Sequence, residues 1–464
     1  MDFITISFET NSNVPLYIQL YNYFKKEIEV GNLQANSKLP SKRKLSKHLE
    51  ISQNTIEAAY EQLIIEGYII SLPKKGYFVS EIENVINTES IKEKESIIKK
   101  NKKEYKYEFF SSRVDLDSFP HAIWKRINKE IISEENKNLL QIGHSQGDKN
   151  LRETISNYLR FSRGVNSTAD NIVVGAGSEY LIQLLINLLG RNKVYGVEEP
   201  GYYKVRKILN INGIYPKGIS LDNQGISITD LDNSKVEVLH ITPSHQFPTG
   251  IIMPINRRMQ LLSWANRDDR RYIIEDDYDS EFRFEGRPIP ALQSLDSNGR
   301  VIYLGTFSKC FSPSIRIAYL VLPEELMKIY RRDFSFLACT VSRTTQQALF
   351  KFIEEGYFER HLNKMRNLYK KKREFLVQLI NRYFSNTEII GTNSGLHLLL
   401  KINNGMSEKE LIKKAEENKI RILGLSNSYI NATKETSTVF LGYASLSNEE
   451  MGEAIIILKK AWNL

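Results

Sequence analysis

Cysteine is nearly absent from this chain of 464 residues: Cys310 and Cys339 are the only two. Two thiols are too few for a disulfide framework or a thiolate zinc site, and such usage fits a reducing compartment, so a cytoplasmic protein is expected. Cys310 reads as a small buried core residue rather than a nucleophile. Long apolar runs are missing as well. Nowhere do about 18 consecutive apolar residues occur, so no spanning helix and no membrane partner are expected. The stretch Met1-Asp2-Phe3-Ile4-Thr5 has no basic segment followed by an apolar one, which gives no sign of a signal peptide. His, Asp and Glu do not fall at metal-ligand spacings, so no metal is expected. Glycine and proline are both lacking from residues 81–108, where Glu alternates with Lys and apolar residues are few and irregular. That composition describes a charged, self-extending linker, and its near-zero net charge makes it a poor DNA arm. What remains is ordinary: 41% hydrophobic and 26% charged residues, the balance of a globular protein, in a chain long enough for two or three domains. The net charge of +9 permits nucleic-acid binding, so the position of the basic residues matters more than their number.

They cluster in residues 1–80. Leu16, Leu20, Tyr23, Phe24 and Ile28 recur at helical spacing. Ser41 is placed to cap a second helix bearing Lys42, Arg43, Lys44, Leu45 and Lys47. A turn over Ile51–Asn54 leads to a third helix from about Asn54 to Glu66, which completes a helix-turn-helix. Two short strands, Tyr68–Ser71 and Tyr77–Val79, flank the tip Pro73-Lys74-Lys75-Gly76 and form a wing. The spacing assigns phosphate contacts to Lys42, Arg43, Lys75 and the Gly76 turn. Ser52, Gln53, Asn54 and Thr55, at the start of the third helix, are candidates for base edges in a major groove. The motifs Leu39-Pro40-Ser41-x-Arg43-x-Leu45, Ala59-Tyr60-x-x-Leu63 and Glu66-Gly67-Tyr68 resemble the GntR-type winged helix-turn-helix. The resemblance implies binding to double-stranded operator DNA. Gln53 stands where that family commonly has Arg.

From residue 109 to 464 helical and strand patterns alternate, which predicts an α/β domain with a mainly parallel sheet. Ligands of such sheets bind at the carboxyl ends of strands, and four strand ends carry candidate chemistry. The first is the Gly175-Ala176-Gly177-Ser178 turn into a helix, an anion cradle. The second is the loop from Thr242 to Gly250. The third is Glu275-Asp276-Asp277-Tyr278. The fourth is Gly305-Thr306-Phe307-Ser308-Lys309, with Arg316 beyond it. Glu275, Asp276 and Asp277 are consecutive, so on a strand they alternate in direction and cannot share one ion. A single Asp beside a Tyr and a Lys suits a pyridine ring: the Asp on the ring nitrogen, the Tyr on the phenolic oxygen, the Lys forming the imine, and Arg316 with the cradle on a phosphate.

These stretches resemble the fold-type-I aminotransferases that use pyridoxal 5′-phosphate, and the order of the two parts resembles the MocR/GabR family of transcriptional regulators. The fold expected from the resemblance is a small N-terminal winged helix (1–80), a linker (81–108) and an aminotransferase-like domain (109–464) with a large, mainly parallel sheet and a small C-terminal α/β subdomain. It implies that Lys309 carries the cofactor, Asp276 and Tyr278 hold its ring, and Tyr202 stacks on it. Gly177, Ser178, Thr306, Ser308 and Arg316 would surround the phosphate. Lys204 stands where GABA-responsive relatives place an effector-binding Arg. Ile142 stands where many relatives have a Tyr that reaches the cofactor phosphate across the subunit boundary. No arginine lies between Ile422 and Leu446, the late region in which aminotransferases usually place a carboxylate clamp. The implied function is a homodimeric regulator that senses a small amine or amino acid, or pyridoxal phosphate itself, by imine exchange at Lys309. The alternative is a working aminotransferase with an appended DNA-binding domain.

Overall fold

The computed structural model describes residues 14–82, 104–110, 113–284, 289–393, 395–430 and 436–464, together with 6, 8 and 9. Most of the expected linker lies outside the described residues. The chain divides into two compact units, Met1–Asn101 and Lys102–Leu464.

In the first unit, α1 (Leu16–Glu29) buries Leu20, Phe24 and Ile28, residues one turn apart on a single face. Helix α2 (Lys42–Leu49) starts where the Ser41 hydroxyl accepts the Lys44 N–H, and it ends at Glu50 in a left-handed conformation, φ 55°. Helix α3 (Gln53–Ile65) starts one residue earlier than its apolar pattern suggests, because the Ser52 hydroxyl accepts the Thr55 N–H and so caps it. Tyr60 anchors the packing. Its ring meets Phe24 at 5.7 Å and Tyr77 at 4.8 Å, and its hydroxyl donates to the Pro40 carbonyl at 3.1 Å. The wing is the antiparallel pair β1 (Ile69–Leu72) and β2 (Gly76–Val79), with Ile69 opposite Val79.

The second unit opens with β3 (Tyr107–Glu108), a strand inside the stretch whose composition reads as linker. Its large sheet contains β4 (Ile172–Gly175), β5 (Tyr195–Glu199), β6 (Lys217–Asp222), β7 (Gly225–Ile226), β8 (Val238–Ile241), β9 (Tyr272–Asp277), β10 (Val301–Thr306) and β11 (Ala318–Val321). Their order is β4-β11-β10-β9-β8-β5-β6-β7. The centre, β10-β9-β8-β5-β6, is parallel, and β11 and β7 run antiparallel to their neighbours. Both faces are buried: Ile273 and Ile274, adjacent on β9, enter different apolar clusters. This explains the near-continuous apolar runs in the sequence. A smaller antiparallel sheet follows, made of β12 (Thr387–Ile390), β13 (His397–Ile402), β15 (Leu423–Gly424) and β16 (Thr438–Gly442). Between them β14 (Ile420–Arg421) pairs in parallel with β3. Among the described residues no helix is long and apolar enough to cross a membrane.

Candidate functional site

The parallel strands of the large sheet bring their carboxyl ends to one cavity of about 610 Å³. Ser178, Tyr202, Lys204, Asp276, Tyr278, Thr306, Ser308, Lys309 and Arg316 all line it. Residues chosen from separate strand ends thus meet in one place.

Lys309 sits in the turn after β10. Thr306 shapes that turn: its hydroxyl accepts the Ser308 N–H at 3.1 Å and faces the Ile317 carbonyl at 3.4 Å. Burial drives the Lys309 ammonium down to about 8, Asp279 opposes the shift, and Lys204 adds to it. The Ser308 hydroxyl is buried and has no hydrogen-bond partner among the described residues. Cys310 is buried in the core, and burial pushes its thiol up, away from reactivity.

The three consecutive carboxylates of β9 have three separate environments. Glu275 accepts the N–H groups of Leu292 and Gln293, each at 2.8 Å. Asp277 pairs with Arg163 at 2.9 Å. Only Asp276 lines the cavity, and His240 on the neighbouring strand holds it at 3.2 Å. Behind His240 lies Glu198, whose carboxyl burial raises to about 7 although Thr242 and Gln246 donate to it. Tyr278 places its hydroxyl 3.0 Å from His245 Nδ1, which is itself 3.0 Å from the Asp279 carboxylate. His397 lines the cavity too, and burial, with His245 and Lys309 nearby, lowers it to about 3.

At the cradle, Gly177 has φ 94°, and a Cβ there would lie 2.0 Å from Arg316 Nη2. Only glycine lets the guanidinium reach the start of the Ser178–Leu189 helix. Arg316 meets Glu179 at 2.6 Å, and Lys204 meets the other oxygen of Glu179 at 2.9 Å. Burial alone would raise Glu179, but the hydrogen bonds from Lys204 and Arg316 bring it down to about 2. Tyr202 packs edge-on against Phe247 at 5.1 Å.

Sequence reasoning missed His240, Glu179, His397, Phe110 and Arg421. A histidine inside the apolar run of β8 was a readable signal for the first. The last two line the cavity and depend on a pairing between distant segments.

On the first unit, Gln53 and Asn54 are exposed at the start of α3. Ser52 and Thr55 instead face each other, with their hydroxyls 2.8 Å apart. Arg43 and Lys75 are exposed. Lys42 is half-buried, ion-paired with Glu57, and lies over the Tyr77 ring at 5.9 Å. Gly76 takes φ +107° at the wing turn.

Comparison with known proteins agrees with this two-part architecture. Residues 16–79 match the family of bacterial regulatory proteins named gntR, and residues 109–458 match aminotransferase class I and II. The chain is 40% identical to the HTH-type transcriptional regulator YdeL of Bacillus subtilis, over 97% of this chain and 98% of that one. It is 30% identical to the probable rhizopine catabolism regulatory protein MocR of Rhizobium meliloti, over 98% of this chain and 95% of that one. Among solved structures, an archaeal alanine:glyoxylate aminotransferase superposes with a TM-score of 0.70 at 24% identity, covering 77% of this chain and 90% of its own. That likeness speaks for the fold.

Proposed function

The chain belongs to the MocR family of HTH-type transcriptional regulators, a GntR-type winged helix followed by a class I and II aminotransferase domain, and on that premise we propose that it binds pyridoxal 5′-phosphate at Lys309 and reports a small amine or amino acid to operator DNA. The observation that carries the proposal is the convergence of Lys309, Asp276, Tyr278 and Arg316 on one cavity.

Two features of the cavity fit the cofactor. Ser308 offers a buried hydroxyl that lacks a partner among the described residues, and the bare Cα of Gly177 leaves Arg316 beside the N-terminus of a helix, an arrangement suited to a phosphate. Ser178 and Thr306 complete this corner. Asp276, oriented by His240, would face the pyridine nitrogen, Tyr278 the phenolic oxygen, and Tyr202 the ring face. When bound, the cofactor supplies a carbonyl carbon that primary amines attack. Lys309 needs an unprotonated amine for its part, and a value of about 8 leaves roughly a tenth of it neutral at pH 7. An anion at Arg316 competes with Glu179, which keeps Lys204 as its second partner. Lys204 is thereby held at the cavity wall, where it would meet an effector.

A cytoplasmic homodimer suits the reading. Ile132, Leu140 and Ile142 are 74%, 84% and 86% exposed, large apolar side chains of the kind a second copy covers. The test is an absorbance titration of the purified protein with pyridoxal phosphate and then with a panel of amines. Visible absorbance that survives dialysis and shifts with amines is expected. Absence of any retained cofactor would refute the proposal, and sustained keto-acid production with 2-oxoglutarate would replace sensing by turnover.

Gly177→Ala tests the phosphate corner separately. The added methyl occupies the space of Arg316 Nη2 and places a side chain at φ 94°. Affinity for pyridoxal phosphate should fall about tenfold to a hundredfold, equivalent to roughly 1.4–3 kcal/mol. Equilibrium dialysis against the cofactor, with operator binding as the folding control, measures it.

A further inference from the structure

At the start of the second unit, residues 104–110 form a strap laid along β14. The Lys106 N–H donates to the Lys419 carbonyl at 2.8 Å, and the Phe109 N–H donates to the Arg421 carbonyl at 2.9 Å. Glu108 stands opposite Arg421 in the parallel register. The Arg421 side chain turns back onto the same strap. Its guanidinium lies 4.6 Å from the centre of the Phe110 ring and 5.4 Å from that of Tyr105, and its Nη1 is 3.4 Å from the Glu108 carboxylate. Phe110 and Arg421 also line the cavity that contains Lys309. One guanidinium therefore touches both the cavity and three side chains of the strap. In sequence, the strap lies at the start of the second unit, next to the boundary between the two units.

The charge arrangement leaves Arg421 available to a second anion. Six basic side chains line the cavity against three carboxylates. Those carboxylates are engaged: Glu179 by Lys204 and Arg316, Asp276 by His240, and Asp279 by His245. Arg206 is tied to the carbonyls of Asn427 and Tyr429. Among the described residues the one carboxylate paired with Arg421 is Glu108, at the long distance of 3.4 Å, and the nearer partner of Glu108 is Arg113 at 2.8 Å. If Arg421 turns to a ligand, Glu108 keeps a counter-charge. The Phe110 ring, 4.6 Å from the guanidinium carbon, supports a guanidinium whose planar fork suits a two-point grip on a carboxylate or sulfonate.

We infer that Arg421 binds the acidic group of an amine effector and that, by exchanging Glu108 for that group, it couples occupancy of the cavity to the strap of residues 104–110. The inference rests on the proposed reading of the cavity and names its ligand class: a primary amine carrying a carboxylate or sulfonate. A ligand that alters the strap must differ in affinity between its two arrangements, and the Arg421–Glu108 contact is the interaction that differs.

The test uses the full chain loaded with pyridoxal phosphate and three probes: 3-aminopropanoate, 3-aminopropanesulfonate and propylamine. In the unmodified protein an acidic amine should change amide hydrogen exchange at Lys106 and Phe109 about tenfold, whereas propylamine should leave it unchanged. Arg421→Gln should lose about tenfold in affinity for an acidic amine, keep its affinity for propylamine, and show no exchange response. Arg421→Lys, with the charge but not the fork, should fall between. Glu108→Gln, which removes the competing carboxylate, should bind acidic amines about threefold tighter. A response to only one of the two acids identifies which group Arg421 reads. Equal affinity of Arg421→Gln and the unmodified protein for both acids, or a strap whose exchange ignores both, would overturn the inference. Failure of propylamine to perturb the cofactor absorbance would instead count against the Lys309 reading. In that case 1-propanesulfonate with Lys309→Ala protein still tests Arg421 by exchange alone: protection changes at Phe109 support it, and their absence overturns it.

Discussion

Lys309→Ala protein should emerge from dialysis without pyridoxal phosphate and without visible absorbance, while its winged helix still binds operator DNA. The loss should be complete rather than partial, because no other lysine inside the cavity replaces it: Lys204 is committed to Glu179, and Lys207 is exposed. The residue's own titration makes a second, independent test. In the folded protein the ammonium titrates near 8, against 10.5 for an ordinary lysine, chiefly because burial disfavours the charge. Capture of a carbonyl compound by the cofactor-free protein should therefore accelerate about tenfold per pH unit up to about 8 and level off above it. The sign for stability follows from proton binding. Between about 8 and 10.5 the unfolded chain binds the proton and the folded chain does not, so stability rises with pH through that window. Below it the folded protein carries the full penalty of a charged, half-buried ammonium. Lys309→Met removes that charge and should stabilise the cofactor-free protein at pH 7 by about 1–3 kcal/mol, with the gain shrinking toward pH 10. Urea unfolding at both pH values measures it. A Met variant no more stable at pH 7 than at pH 10, relative to the unmodified protein, would mean that Lys309 is solvated and unremarkable.

What could be read in advance depended on how local the cause was. The winged helix was legible because caps, apolar spacing and the turn at Gly76 are all local features. The strand ends were legible for a related reason: a short apolar run followed by Asp276-Asp277-Tyr278 or Thr306-Phe307-Ser308-Lys309 marks both the strand and the polar side chains that line the cavity at its end. Alternation along β9 then separated Asp276 from its neighbours, as the period of a strand requires. The intramolecular roles that did not show in the sequence arise where one residue type serves two purposes. A serine before a helix looks the same whether it caps the helix or contacts a base, and Ser52 caps. A lysine on a basic helix looks the same whether it meets a phosphate or a carboxylate of its own domain, and Lys42 meets Glu57. The remaining omissions are tertiary. His240 backs Asp276 only through the register of β8 against β9. Glu179 reads as a favourable acidic residue in a first helical turn, yet it bridges Lys204 and Arg316 from two other segments. Arg421 falls one position before the arginine-free stretch from Ile422 to Leu446. Its relation to Glu108 comes from the pairing of β14 with β3, which no local pattern encodes.

Removing the amides of Gln53 and Asn54 together should abolish operator preference without abolishing DNA binding. The start of α3 carries four polar side chains, but they divide into two pairs. Ser52 and Thr55 spend their hydroxyls on each other and on the cap, whereas Gln53 and Asn54 are exposed. An exposed amide at the N-terminus of a recognition helix can address the paired donor and acceptor of adenine, and each such contact discriminates by about 1–3 kcal/mol. Gln53→Ala combined with Asn54→Ala should thus weaken operator binding about thirtyfold or more while leaving non-specific affinity and its salt dependence unchanged. Arg43→Ala and Lys75→Ala should do the reverse. Each removes a positive charge from an exposed position, so affinity should fall by a similar factor on every sequence, and the slope of log affinity against log salt should drop by about one. Ser52→Ala should show neither pattern: losing a cap costs about 1 kcal/mol of stability, visible in thermal unfolding before it is visible on DNA. Fluorescence anisotropy with operator and scrambled duplexes across a salt series separates the three outcomes. If the Gln53/Asn54 double variant lost affinity equally on both duplexes, those amides would be backbone contacts, and base reading would have to be sought elsewhere on the winged helix.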